Sequence, residues 1–142
     1  SEAIENCCKL KADIVSKDEF DNGIRGILNF GHTIGHALEL KFGFNTLRHG
    51  EAVAFGMLCA GYVSFKLKKL DEKQFNILEK LIRTLPLPKL KKINSEELVA
   101  LIKRDKKFVK GKLKFITLNK IGMATVNQDV DNLILKESFK LL

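Results

Sequence analysis

All three histidines of the chain lie between positions 32 and 49. His32 and His36 stand four residues apart in GHTIGH, so a helix places both rings on one face. His49 opens the next helical stretch, HGEAVAFGM, and a helix hairpin brings it back toward the first pair. Neutral imidazole is a common ligand of zinc and similar ions, and this spacing is one way a helix supplies two such ligands. The same spacing also suits two histidines that hydrogen-bond in a core or face solvent. The setting is what points to chemistry. Arg25 and Asn29 precede His32 by seven and three residues and share its side of a helix. A cation, an amide and two imidazoles form a polar stripe that an ordinary core does not choose. An anionic ligand carrying hydroxyls matches it.

The elements that must hold this stripe follow from apolar periodicity. Residues 2–16 read as a helix with Ile4, Cys7, Cys8, Ile14 and Val15 near one face, the two cysteines partly buried. SKDEFDNG (16–23) is polar and ends in an Asn22-Gly23 turn signal. Residues 25–42 read as one helix with an apolar stripe of Ile27, Leu28, Ile34, Leu38 and Phe42. Gly31 and Gly35 inside it signal close approach of a neighbouring helix or a ligand. After a loop from Phe44 to Gly50, residues 51–68 are apolar nearly all round, as in a helix buried in a core. Residues 71–84 form an amphipathic helix. Pro86 and Pro88 make a short connector. Asn94 and Glu97 resemble a capping box ahead of a helix in SEELVALIKRDKK. Leu113–Leu118 and Met123–Asn127 are expected to form a hairpin around residues 119–122, with a last helix from Asp129. The fold class is therefore mostly α, with a small β-hairpin near the C-terminus.

The chain has 142 residues, one domain's worth, with 45% hydrophobic and 30% charged residues. No segment approaches the roughly 18 apolar residues of a membrane span, and no signal peptide is visible, so a cytoplasmic location is expected. Lys and Arg exceed Asp and Glu by 25 to 17, a net charge of +8 that favours anionic partners. A nucleic-acid-binding module would explain that charge and the seven basic residues between 103 and 114, but not the histidine stripe. Three cysteines without a CxxC spacing argue against a disulfide framework and against a cysteine-built zinc site. Cys59 reads as packing. Glu51 reads as a charge at a helix N-terminus, and Glu39 as a solvated residue. No GxGxxG and no βαβ alternation occur, so the chain carries no dinucleotide fold of its own.

The string RGILNFGHTIGHALE (25–39) followed by RHGEAVAFGM (48–57) closely resembles the 3-dehydroquinate synthase family. KADIVSKDEFDNGIR (11–25) and RDKKFVKGKLKFITLNKIGMA (104–124) resemble that family's flanking motifs. The resemblance implies the multi-helical C-terminal domain of the dehydroquinate synthase-like fold across residues 1–142. The family's N-terminal NAD-binding domain is absent from this chain. It implies part of a lyase of the shikimate pathway, in aromatic amino acid biosynthesis, that converts the keto-acid phosphate DAHP to 3-dehydroquinate with loss of phosphate. The implied cofactors are NAD and Zn2+ or Co2+, and the longer enzyme is expected to be a homodimer with no nucleic-acid or membrane partner. Carried over residue by residue, His32 and His49 are metal ligands, the family's third ligand being a Glu that lies before residue 1. His36 contacts substrate and takes part in proton transfer. Lys11 matches an active-site lysine, and Asp21 stands where the family usually has the longer Glu. Arg25 and Asn29 hold substrate groups, with Lys107 and Lys106 as phosphate contacts. The chain by itself is expected to be inactive. Another sugar-phosphate cyclase, of the 2-deoxy-scyllo-inosose synthase type, and a metal-dependent polyol dehydrogenase are the alternative readings.

Overall fold

The computed structural model describes residues 1–20, 23–104, 108–109, 112–127 and 130–142. Helix α1 spans Glu2–Lys17, and a 3-10 helix follows at Ile24–Asn29. Then come α2 (His32–Phe42), α3 (His49–Lys66), α4 (Glu72–Arg83) and α5 (Ser95–Arg104). Strands β1 (Phe108–Val109) and β2 (Lys112–Leu113) form one short antiparallel pair. Strands β3 (Phe115–Lys120) and β4 (Met123–Asn127) form the larger one, and α6 (Asn132–Ser138) closes the fold with a final 3-10 turn at Phe139–Leu141. The expected mostly-α class with a C-terminal hairpin is what the chain adopts. No helix among the described residues is long and apolar enough to cross a membrane.

Helix α3 is the centre of the molecule. Its apolar residues face neighbours on nearly every side, from α2, α4, α6 and β3. Leu38, Leu47, Cys59, Val63, Leu98, Ile102, Phe115 and Leu135 belong to one buried core. The hairpin is fastened to α3 by a hydroxyl: Ser64 Oγ accepts from Leu118 N at 2.9 Å and donates to Ala60 O at 2.6 Å. The hairpin turn is tied to α4, where Gln74 Oε1 accepts from Ile121 N at 2.7 Å. Helix starts are capped as their residue types dictate. Asp71 accepts from Gln74 N, and Asn94 accepts from Glu96 N and Glu97 N. The Glu97 carboxylate pairs with Lys41 and ties α5 to α2.

Two expectations are corrected here. Residues 25–42 are not one helix. The chain passes from a 3-10 helix through Phe30, whose ψ is 124°, and through Gly31 at φ +81°, before α2 begins. The apolar residues of both pieces are nevertheless covered: Ile34 and Leu38 are buried, and Ile27, Leu28 and Phe42 half-buried. Cys7 and Cys8 are exposed rather than partly buried, because α1 contributes no fully buried side chain and half-buries only Ile14 and Val15 near its C-terminal end.

The glycines do mark close approach, and the neighbour is a helix. A Cβ on Gly31 would stand 2.7 Å from Met57 N, one on Gly35 3.1 Å from Ala52 O, and one on Gly56 1.9 Å from Gly31 O. Helices α2 and α3 thus touch backbone to backbone. Alanine in a helix interior is intrinsically about 0.5–1 kcal/mol better than glycine. At position 56 that gain is overwhelmed, since the obstacle is a carbonyl of the packed backbone. Gly56→Ala is expected to lower the unfolding free energy by at least about 2 kcal/mol in urea denaturation, and a variant as stable as the parent would contradict this packing.

Candidate active site

The break at Gly31 and the crossing of α2 with α3 together decide where the histidines go. His32 is the first residue of α2, His36 lies one turn later, and His49 is the first residue of α3. The three rings form a triangle, with centres 5.8 Å apart for His32 and His36, 5.5 Å for His32 and His49, and 5.9 Å for His36 and His49. The hairpin expected from the sequence therefore does return His49 to the first pair.

Each ring is aimed through its Nδ1. His32 Nδ1 lies 3.3 Å from Phe30 O, an atom that can only accept, so this nitrogen carries the proton. His36 Nδ1 lies 3.0 Å from Glu39 Oε2, and His49 Nδ1 lies 2.8 Å from Glu39 Oε1. Glu39 was expected on a solvated face, but it is only 2% exposed. It sits one helical turn after His36 and under the start of α3, where two imidazoles satisfy it. Its signal in the sequence is the three-residue spacing from His36, which puts both side chains on one face of α2.

A cavity of about 370 Å3 opens beside this triangle, lined by Lys11, Arg25, Leu28, Asn29 and His32. Arg25, Asn29 and His32 of the stripe read from the sequence do share this cavity, although they come from two elements rather than one helix, and Lys11 joins them from a third. Lys11 comes from α1, Arg25 and Asn29 from the 3-10 helix, and His32 from α2. The Asp18 carboxylate organises the turn between the first two, accepting from Gly23 N at 2.8 Å and Arg25 N at 3.0 Å. Arg25 Nη1 donates to Glu19 O at 2.8 Å, which anchors the guanidinium at the cavity wall. Two cations and an amide beside three imidazoles make a site for an anion with hydroxyl groups. Asp21, Lys106 and Lys107 lie outside the described residues.

Residues 1–108 match a family model described as 3-dehydroquinate synthase C-terminal. The chain belongs to the 3-dehydroquinate synthase family. The 3-dehydroquinate synthase of Colwellia psychrerythraea is 41% identical over 139 residues, which cover 96% of this chain and 39% of that protein. That of Shewanella frigidimarina is 38% identical over 137 residues, 95% of this chain and 38% of that protein. The chain therefore spans about two fifths of the length of these synthases. Among solved structures, a 2-deoxy-scyllo-inosose synthase complexed with carbaglucose-6-phosphate, NAD+ and Co2+ superposes with a TM-score of 0.82 at 25% identity, covering 96% of this chain and 39% of that one. A 2-epi-5-epi-valiolone synthase from Streptomyces hygroscopicus shares the fold at 21% identity and a TM-score of 0.78, covering 91% of this chain and 36% of that one.

The donor set beside the cavity fits a divalent cation. Two imidazoles bound to one ion through N–metal bonds of about 2.1 Å have ring centres roughly 5–5.5 Å apart, and His32 and His49 meet that spacing at 5.5 Å. With Nδ1 of each turned to Phe30 O or Glu39, Nε2 is the atom left to face an ion. A carboxylate or carbonyl on the far nitrogen is the usual support of a metal-bound histidine. Glu39, His36 and His49 also offer one ligand atom each within 4.8 Å of one another. Their 2.8–3.0 Å contacts are hydrogen bonds, and an ion there would have to replace both.

Glu51 takes the helix-end role expected of it, accepting from Arg48 N at 2.8 Å at the start of α3. Cys59 is packing, as expected: it is fully buried, and burial pushes its thiol up to about 12, which removes the thiolate a nucleophile needs. Iodoacetamide at neutral pH is expected to label Cys7 and Cys8 in the folded chain and Cys59 only after denaturation, as mapped by peptide mass spectrometry. Rapid native labelling of Cys59 would show that the α3–α6 contact opens.

Proposed function

We propose that the chain is the metal- and substrate-binding part of a 3-dehydroquinate synthase, an NAD- and metal-dependent lyase that converts DAHP to 3-dehydroquinate and releases phosphate. The observation that carries this reading is the cavity that gathers Lys11, Arg25, Asn29 and His32 beside His36 and His49. His32 and His49 would hold the Zn2+ or Co2+ through Nε2. When bound, the cation supplies Lewis acidity to substrate oxygens and NAD a reversible oxidation. Everything else falls to side chains of this chain. Lys11 and Arg25 neutralise the substrate's anionic groups, and Asn29 orients a hydroxyl. His36, held from behind by Glu39, is the group that can take and return a proton at Nε2. Asp21, Lys106 and Lys107 are assigned by the family motif to the same pocket, the two lysines to the phosphate.

The sequence relatives favour this synthase over a cyclase cousin. Identity is 41% to the dehydroquinate synthase of Colwellia psychrerythraea and 25% to a 2-deoxy-scyllo-inosose synthase. The cationic cavity speaks against a polyol dehydrogenase, whose substrate needs no anion site. The described strands form only antiparallel pairs, and the NAD site is assigned to a separate N-terminal domain. A cytoplasmic homodimer is proposed for the complete enzyme.

The test is a chimera in which this chain replaces the matching 139 residues of the Colwellia synthase. The folded chimera is expected to release phosphate from DAHP, with Arg25→Ala lowering kcat/KM at least about 100-fold, the loss of a charged hydrogen-bonding group of about 3 kcal/mol. The 142-residue chain supplied with NAD and zinc is expected to give no turnover. A folded chimera without activity, or an active Arg25→Ala form, would overturn the reading.

A further inference from the structure

We propose that Glu39 is a positioning residue that holds His36 and His49 together, one carboxylate oxygen to each ring, and sets both as Nδ1–H tautomers. Its two oxygens are divided between the two rings, Oε2 to His36 at 3.0 Å and Oε1 to His49 at 2.8 Å. An ionised carboxylate only accepts, so both Nδ1 atoms donate and both lone pairs fall on Nε2. The burial runs the same way. The Glu39 side chain is 3% exposed, against 42% for His36 and 57% for His49, so the anion lies beneath the rings and their far edges face outward.

The arrangement joins two helices as well as two rings. His36 shares α2 with Glu39, whereas His49 is the first residue of α3, ten positions further along the chain. One side chain therefore couples the orientation of two histidines to which the proposed function gives different tasks. This coupling rests on that reading only for its purpose, since the tautomers are a property of the chain itself. Glutamine at position 39 keeps the size and loses the symmetry. Its amide has one accepting oxygen and one donating NH2, so it suits an Nδ1–H ring on one side and an Nδ1 lone pair on the other.

The experiment is long-range 1H–15N correlation spectroscopy of the histidine rings in the metal-free chain, at a pH where their shifts no longer move. In the parent, both His36 and His49 are expected with Nδ1 in the protonated range. In Glu39→Gln, one of the two is expected to move its Nδ1 to the unprotonated range. His32, held by Phe30 O, stays unchanged and reports that the fold is kept. An Nε2–H tautomer at His36 or His49 in the parent overturns the inference, whether or not the variant folds. So does a folded Glu39→Gln protein with both rings as in the parent. No metal, substrate or turnover enters the readout. An inactive chimera with the stated tautomers therefore counts against the proposed function alone, and an active one with the wrong tautomers against this inference alone.

Discussion

The site depends on one backbone contact. Helices α2 and α3 approach so closely that a single methyl group on Gly56 would overlap the carbonyl oxygen of Gly31. This proximity brings the first turn of α3 against the first two turns of α2, and with it His49 against His32 and His36. A wider crossing, as larger residues would require, separates those rings by more than one ion can bridge. Gly31 serves twice, since it also adopts the left-handed conformation that ends the 3-10 helix and starts α2. The turn re-aims the chain so that Arg25 and Asn29 line a cavity next to His32.

Around that contact the fold separates apolar from polar work. Helix α3 turns its apolar sides to α2, α4, α6 and the hairpin, and its polar N-terminal turn to the site. Glu39 is the exception that makes the division possible, a buried carboxylate tolerated because two imidazoles satisfy it. Lys11 reaches the cavity from α1, a helix with no fully buried side chain of its own. The cationic side of the site is therefore built on less packing than the histidine side.

Much of this was legible in the sequence. The all-round apolar character of residues 51–68 identified the central helix, the short β-rich runs identified the hairpin, and glycine inside a helical pattern identified the crossing. The His32–His36 spacing and the return of His49 were readable from helix geometry alone. The break at Gly31 was not, because apolar periodicity does not register one extended residue and one left-handed glycine between two helical turns. Glu39 was hidden for a different reason. A carboxylate is ordinarily solvated, and its burial depends on His49, which no local pattern connects to it. The exposure of Cys7 and Cys8 likewise reflects what α1 packs against, a tertiary fact that periodicity does not contain.

The placement of His32 and His49 for one shared ion follows from the break at Gly31 together with the α2–α3 crossing. Its most direct test is calorimetric titration of Co2+ into the chain and into a His32→Ala, His49→Ala double variant. One equivalent is expected to bind the parent, weakly because only two protein ligands contribute, and none the variant. Equal binding by both proteins, or no binding by the parent, would contradict it.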